Sequence, residues 1–393
     1  MTNDPARTRF LILSSETGGG HASAAAAIAD ALRHASPAND VTVVPRALED
    51  AHPCARGFAA LYNHLLRHHE PRVRYYYGAI ERLRPNEWRL FHRLAAHSTR
   101  SLLNRHAPHV VISVHPMLQH LMTRALRDLD WLSRVPLVAV VTDPCYGFWR
   151  GWVAPDVRAF LVATAGARRQ LREYGVAEPK IVTCGMPVHA RFRRWDDASR
   201  AAARVALGLE PAAFTVLVNA GSIGGGNVPR IFDAMTDRGE PLRGMQAICV
   251  AGRNAALRDR MRERAARASF RVVVLPHVDD MERLMNASDV MISKPGGLTI
   301  FEALACQLPI VADATDAPMP QEAGAVEMID QQGAGVVLRS AEEIVATLRA
   351  LSHDPPALAR MRAAAARLAT PDATALIVRE LTRIARPGFT PES

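Results

Sequence analysis

Twelve short runs of apolar, β-prone residues alternate with longer Ala-, Leu- and Arg-rich stretches of helical period, and this alternation restricts the fold more than any other feature of the chain. The first half carries FLILSS, VTVVP, HVVISVH, PLVAVVTD, AFLVAT and IVTCGMP; the second carries FTVLVNAG, AICVAG, RVVVLP, VMISKP, LPIVAD and GVVLRS. Strands this uniformly apolar bury both faces, which marks parallel sheets covered by helices. The pattern predicts an α/β protein of two doubly wound, Rossmann-like domains. In open sheets of this kind ligands bind beyond the carboxyl ends of the strands, where loops enter helix N-termini. Two such domains facing each other would line a cleft with both sets of loops.

A length of 393 residues suits two cores rather than one. The polar, strandless stretch HARFRRWDDASRAAARVALGL places a linker near residues 188–210. The expected division is an N-terminal domain over 1–190, a C-terminal domain over 210–375 and a terminal tail or helix over 376–393. Lys and Arg number 48 against 39 Asp and Glu, and the formal charge of +9 favours an anionic partner: a nucleotide, a nucleic acid or an acidic membrane. Five scattered cysteines with no C-x-x-C pair indicate neither a disulfide framework nor a structural zinc site. The N-terminus lacks a signal-peptide core, and no apolar run reaches the ~18 residues of a membrane span. The expected placement is therefore cytoplasmic, with membrane contact peripheral and on the inner face of the cytoplasmic membrane.

Three glycine-rich turns stand where strands give way to helices. In SSETGGGHASAAAAIADAL a strand ending near Ser15 leads through Gly18, Gly19 and Gly20 into a helix expected from about Ser23 to Leu32. Glycines let backbone N–H groups approach a ligand, and the helix N-terminus adds positive potential, so either a phosphate or a reacting oxygen suits this turn; a tight turn with no ligand is the alternative. No G-x-G-x-x-G is present, which disfavours a dinucleotide. The second turn, NAGSIGGGN over Asn219–Asn227, can aim backbone amides from Ser222 to Gly226 at a diphosphate. The third, SKPGGLTIFEAL, turns at Pro295, Gly296 and Gly297. There Thr299 can cap the helix or bind phosphate, and Glu302, expected on the first helical turn, can accept two vicinal hydroxyls or merely complement the helix dipole.

Together these segments, with VVTDP (Val140–Pro144), CGMPV (Cys184–Val188), VAGRN (Val250–Asn254) and PQEAGAVEMI (Pro320–Ile329), resemble the family 28 glycosyltransferases of GT-B fold. The likeness is strongest to the diacylglycerol glycosyltransferases such as monogalactosyldiacylglycerol synthase, and it spans about residues 9–340 in the family's order. It implies a UDP-sugar donor on the C-terminal domain and a lipid acceptor on the N-terminal domain, with Gly19 and Gly20 beside the acceptor. Carried over by position, Glu302 would hold the ribose, and Thr299, Gly224, Gly225 and Gly226 would touch the diphosphate. Gln321 and Glu322 would read the sugar hydroxyls, and Arg253 and Val278 would lie near the uracil or phosphates. Where the family usually has Asn after QEAG, this chain has Ala325.

Sugar transfer needs the acceptor hydroxyl deprotonated and the departing diphosphate stabilised. His21 suits the first task, because a histidine near a helix N-terminus favours the neutral, proton-accepting form. Asp143, at the end of an apolar strand, could orient His21 or act as base itself, and His115 is a lesser candidate that could simply cap the sheet. Helix dipoles and backbone amides are expected to replace a metal at the diphosphate. The lone D-x-D, Asp128 to Asp130, falls in a helical stretch and reads as a solvated face, so neither a metal nor any other cofactor is expected. Direct displacement would invert the anomeric centre.

Between His52 and His106 stand ten arginines against three acids, a net of +7, interleaved with Phe58, Tyr62, Tyr75, Tyr76, Tyr77, Trp88 and Phe91. Val73, Tyr76, Tyr77, Ile80 and Leu83 recur at helical spacing. A basic amphipathic helix with aromatics suits an anionic bilayer surface, with Tyr62, Tyr76, Arg82 and Trp88 as contacts; packing of the stripe on the N-terminal sheet is the alternative. No nucleic-acid-binding motif accompanies the charge, so nucleic acid is not expected as a partner. The remaining alternatives are a UDP-sugar 2-epimerase of similar architecture and a non-catalytic nucleotide- or lipid-binding protein.

Overall fold

A computed structural model describes residues 7–68, 70–237 and 242–386, apart from the side chains of residues 67, 68, 70, 71 and 74. Every one of the twelve apolar runs forms a strand, and each half of the chain builds a six-stranded parallel sheet. The first contains β1 (Thr8–Leu13), β2 (Asn39–Val44), β3 (Val110–Ser113), β4 (Leu137–Val140), β5 (Ala159–Val162) and β6 (Ile181–Thr183), in the order β2-β1-β3-β4-β5-β6. The second contains β7 (Thr215–Asn219), β8 (Gln246–Val250), β9 (Arg271–Leu275), β10 (Val290–Ser293), β11 (Ile310–Asp313) and β12 (Gly335–Leu338), in the order β12-β11-β10-β7-β8-β9. Helices cover both faces, which is why central strands such as β3 and β10 are buried at every residue.

Strand order locates the sites. In the first sheet the chain leaves β1 for β2 on one side and returns to β3 on the other; in the second it leaves β7 for β8 and returns to β10. At such switch points the loops that follow the two central strands diverge and leave room for a ligand. The registers Leu13↔Ser113 and Ser293↔Asn219 align the carboxyl ends of each central pair. The glycine turn after β1 therefore sits beside the loop carrying His115, and the Ser222–Gly226 turn after β7 sits beside Pro295–Gly297.

The chain divides into two compact units, 1–62 with 74–189 and 371–393, and 63–73 with 190–370. The C-terminal helix Ala373–Ile384 belongs to the first unit, where Ile377, Val378, Leu381 and Ile384 pack with Ala25, Ile28, Ala29 and Leu32 of helix Gly20–Ala35. Residues 387–393 of the expected tail lie outside the described residues. The stretch expected as a polar linker holds helix Asp197–Ala206, N-capped by the Asp196 side chain. Its arginines are structural: buried Arg200 and Arg204 reach Asp289 at 3.2 and 2.9 Å, and the carbonyls of Asn286 and Ala287 each accept a 2.8 or 2.7 Å bond from their Nε groups. A charged sequence here means a pinned helix, because paired and hydrogen-bonded arginines tolerate burial.

Candidate active site

At the first switch point, Gly18 (φ 75°) and Gly19 (φ 92°) take the left-handed conformation that glycine reaches without strain. This turn starts the helix at Gly20, three residues earlier than expected, and puts His21 on its first turn. The imidazole Nδ1 lies 2.9 Å from the Thr142 hydroxyl. The ring meets His115 edge-on, with centroids 4.6 Å apart, and has Trp152 6.4 Å away. Protein crowds His21 while leaving part of its surface open to solvent. Burial lowers its pKa to about 4, against a hydrogen bond with the Val114 backbone that acts the other way. The side chain is thus neutral at pH 7, as a base requires, and burial accounts for this more than the helix terminus does.

Asp143 does not orient His21 in this arrangement: the imidazole is held by the hydroxyl of Thr142, the preceding residue, and by the Val114 backbone. The Asp143 carboxylate instead accepts the Trp152 indole N–H at 2.7 Å. Burial raises its pKa to about 6, partly offset by that bond, so it titrates close to neutrality. His115 is buried, and both its ring nitrogens are engaged, Nδ1 with the Met117 amide at 3.3 Å and Nε2 with the Thr17 hydroxyl at 3.0 Å. Thr17, Thr142 and Trp152 went unnoticed in the sequence. The signal for Thr142 was present, since it precedes Asp143 within VVTDP, whereas Trp152 follows in a segment without a strand or a glycine motif.

At the second switch point, Gly224 is tightly packed within the glycine turn. Its φ is 73°, and a Cβ there would lie 2.0 Å from the Ala251 carbonyl oxygen. The Asn254 amide donates to the Gly224 carbonyl at 2.8 Å, the Gly225 amide bonds to the Ala220 carbonyl at 3.3 Å, and the Arg253 amide donates to Ser222 at 2.9 Å. The loops after β7 and β8 therefore lock together, and Arg253 reaches to 3.4 Å from His277, next to the half-buried Val278 after β9. Gly296 differs from Gly224: its backbone is ordinary and a Cβ there would meet open space.

The N-cap position of helix Gly297–Ala305 is Gly296, with no side-chain cap, so of the two roles open to Thr299 capping is not the one it takes, and the residue lies within the first turn. Glu302 falls on the second turn rather than the first, beyond the range where a carboxylate mainly complements the dipole, and is only 7% exposed. Helix Pro320–Gln332 packs beside it and begins with Gln321 and Glu322, both buried. Gln321 leaves its buried Oε1 without a hydrogen-bond partner. A buried amide oxygen in this state is costly unless something else supplies a donor. Ala325 is fully buried in the same helix.

The basic segment forms helices Pro53–His68, Glu70–Leu83 and Arg89–His106. The stripe expected to face a membrane mostly packs inward: Val73 is buried, and Tyr77 and Ile80 lie against the core. Burial also pushes Tyr76 up to about 12, and the Tyr62 ring meets it at a tilt, with centroids 5.7 Å apart. Of the expected contacts, only Trp88 and Arg82 stand well exposed. The apolar surface left open comes largely from other positions, Leu61, Tyr75, Leu83, Leu90 and Leu94. The side chains of Arg67, Glu70 and Arg74 lie outside the described residues. Asp128 and Asp130 are exposed at a helix end, and among the described residues no cluster of three or more His, Cys, Asp or Glu side chains could hold a metal.

Comparison with known proteins gives these sites a family. The model for monogalactosyldiacylglycerol (MGDG) synthase matches residues 21–188, and that for the glycosyltransferase family 28 C-terminal domain matches 215–377. Monogalactosyldiacylglycerol synthase of Spinacia oleracea is 30% identical over 391 residues, covering 96% of this chain and 73% of its own. The processive diacylglycerol beta-glucosyltransferase of Bacillus subtilis is 25% identical over 290 residues, covering 73% and 72%. Among solved structures, Anabaena HepE in complex with UDP-glucose superposes with a TM-score of 0.59 at 14% identity, covering 95% of this chain and 99% of its own. The UDP-GlcNAc 2-epimerase of Neisseria meningitidis does so at 0.62 and 12%, covering 95% and 100%. Likeness at these identities shows the fold alone, a two-domain GT-B architecture shared by transferases and epimerases. The expected cytoplasmic placement is corrected by the plant relatives, which are named chloroplastic. No helix among the described residues is long and apolar enough to cross a membrane. The chain is a glycosyltransferase and belongs to the monogalactosyldiacylglycerol synthase family, within glycosyltransferase family 28.

Proposed function

We propose that the enzyme transfers a hexose from a UDP-sugar to the free hydroxyl of a diacylglycerol-type lipid, with inversion at the anomeric carbon. One observation carries the reading: a neutral, partly accessible His21 sits behind a glycine turn at a switch point, in a family whose relatives are named for glycosylating diacylglycerol. His21 takes the proton of the acceptor hydroxyl, and Asp143 is the second titratable group at hand. The acceptor oxygen attacks C1 of the sugar, the bond from C1 to the β-phosphate oxygen breaks, and UDP leaves with the electron pair. The diphosphate rests on backbone amides of the Ser222–Gly226 turn and on the N-terminus of helix Gly297–Ala305, which supply positive potential without a metal. Glu302 accepts the ribose hydroxyls, and Gln321 and Glu322 read the sugar, which gives the unpartnered Gln321 oxygen a donor. Arg253 and Val278 flank the base or phosphates.

Leu83, Trp88, Leu90 and Leu94, among the arginines of 82–105, form the surface we assign to an anionic bilayer carrying the acceptor. At ~1 kcal/mol per basic residue near such a surface, three arginines would strengthen binding roughly 100-fold. The test supplies labelled UDP-galactose, UDP-glucose or UDP-N-acetylglucosamine with and without diacylglycerol vesicles. Lipid-dependent release of UDP and a product heavier by one sugar are expected. Interconversion of the donor sugars without lipid would replace this reading with an epimerase, and donor binding without turnover would replace it with a binding protein.

A further inference from the structure

Beneath the first glycine turn runs a hydrogen-bonded chain of side chains whose direction the chemistry fixes. The Met117 amide donates to His115 Nδ1 at 3.3 Å, so Nδ1 carries a lone pair and the proton of the neutral ring is on Nε2. That N–H points at the Thr17 hydroxyl, 3.0 Å away. Thr17 Oγ1 lies 3.2 Å from Ser15 Oγ, and Ser15 donates to Glu49 Oε1 at 2.7 Å. Glu49 also accepts the Glu16 amide on the same oxygen at 3.0 Å. A carboxylate only accepts, so each hydroxyl must donate toward it, and the order is His115 to Thr17 to Ser15 to Glu49. All four side chains are buried, Glu49 at 4% exposure. Thr17 directly precedes the glycines, and His115 supports the ring of His21 edge-on.

We infer that Glu49 is a positioning residue for the transfer, holding the glycine turn and the His115 ring, and through them His21, by way of Ser15 and Thr17. This rests on His21 being the base. Without the anchor the hydroxyls can reverse, His115 Nε2 loses its fixed acceptor, and the surface that orients His21 is released. Displacement of a base by about 1 Å can cost on the order of 100-fold in rate.

The test measures sugar transfer from UDP-galactose and UDP-glucose to diacylglycerol vesicles by Glu49→Leu, Thr17→Val, Thr17→Ser and the double variant Glu49→Leu/Thr17→Val. Each apolar single variant is expected to lose roughly 10- to 100-fold in kcat with donor KM unchanged, Thr17→Ser to recover most of it, and the double variant to fall no further than one single. Nitrogen-15 NMR of labelled histidine follows the His115 Nε2–H hydrogen bond independently of turnover: the Met117 amide holds the Nε2–H tautomer in every variant, and the Nε2–H resonance is expected to shift in Thr17→Val, where its acceptor is gone. Multiplicative losses in the double variant, or native kcat with an unshifted His115 Nε2–H resonance in Thr17→Val, would overturn the inference. Should Glu49→Leu fail to fold, the Thr17 pair and that resonance still decide it. If His21→Ala keeps full activity while the Thr17 and Glu49 variants lose it, the assignment of His21 fails instead.

Discussion

Replacing Trp152 by Phe should move the acid side of the pH–rate profile by an amount that the site lets one work out. The indole N–H donates to Asp143 at 2.7 Å, and Trp152 is fully buried, so Phe keeps most of the packing and removes the donor. The bond favours the charged carboxylate, and its loss therefore raises the pKa from about 6. A hydrogen bond to a charged group contributes roughly 1.5–3 kcal/mol net, and 1.36 kcal/mol corresponds to one pH unit, so the rise is about one to two pH units. In the wild type kcat/KM should fall off near pH 6, well above the region of His21, whose pKa is about 4. In Trp152→Phe the fall should come between about pH 7 and 8, with a loss on the order of tenfold at pH 6 that shrinks toward pH 9. The assay is UDP release with diacylglycerol vesicles from pH 5 to 9, beside thermal melts to establish folding. An unmoved acid limb in a folded variant would refute a role for the ionised Asp143 carboxylate, and a wild-type limb near pH 4 would point to His21 alone.

Two glycines that look alike in sequence should respond differently. Gly224→Ala must place a Cβ against the Ala251 carbonyl at a positive φ and is expected to lower thermal stability by about 1–3 kcal/mol, read as a melting shift. Gly296→Ala has room and an ordinary backbone, so its melting point should hold while donor affinity, measured by calorimetry with UDP, declines as the methyl meets the diphosphate. Glu302→Gln should raise donor KM by roughly 10- to 100-fold, the loss of a charge-assisted bond to ribose hydroxyls, and a donor KM unchanged within twofold would remove Glu302 from the site. Burial, with Arg124 adding to it, lowers the pKa of His92 from 6.5 to about 4. The stability from keeping it neutral is fully present above pH 6.5 and is lost as pH falls through 6.5 toward 4, about 2 kcal/mol at pH 5. His92→Leu should therefore lose less stability than the wild type between pH 7.5 and 5 in urea titrations.

Which residues form strands was legible because burial on both faces writes a continuous apolar run into the sequence, as in Leu11–Leu13 or Val290–Ile292. Strand order was not, because pairing of β1 with β3 or β7 with β10 joins segments about 70 to 100 residues apart. The glycine turns could be read for the same local reason, while the helix starts were misjudged by a few residues, which is why Glu302 falls on the second helical turn rather than the first. What the sequence hid is the support for His21. Thr142 and Trp152 follow β4, His115 follows β3 and Glu49 follows β2, so they reach one place from three connections, and nothing near Trp152 or Glu49 in the sequence marks them as partners. The charged linker misled because Arg200 and Arg204 are polar in composition yet buried by pairing with Asp289. The aromatic stripe misled because helical spacing shows that a face is apolar without showing what covers it, and Tyr77 and Ile80 turn to the core.

Single-turnover formation of glycolipid by the wild type and by His21→Ala, with labelled UDP-sugar and diacylglycerol vesicles, tests the central claim most directly. The account predicts a β-linked product from the wild type and a rate at least 100-fold lower for a folded His21→Ala that still binds UDP. Transfer by His21→Ala at the native rate, or an α-linked product, would contradict it.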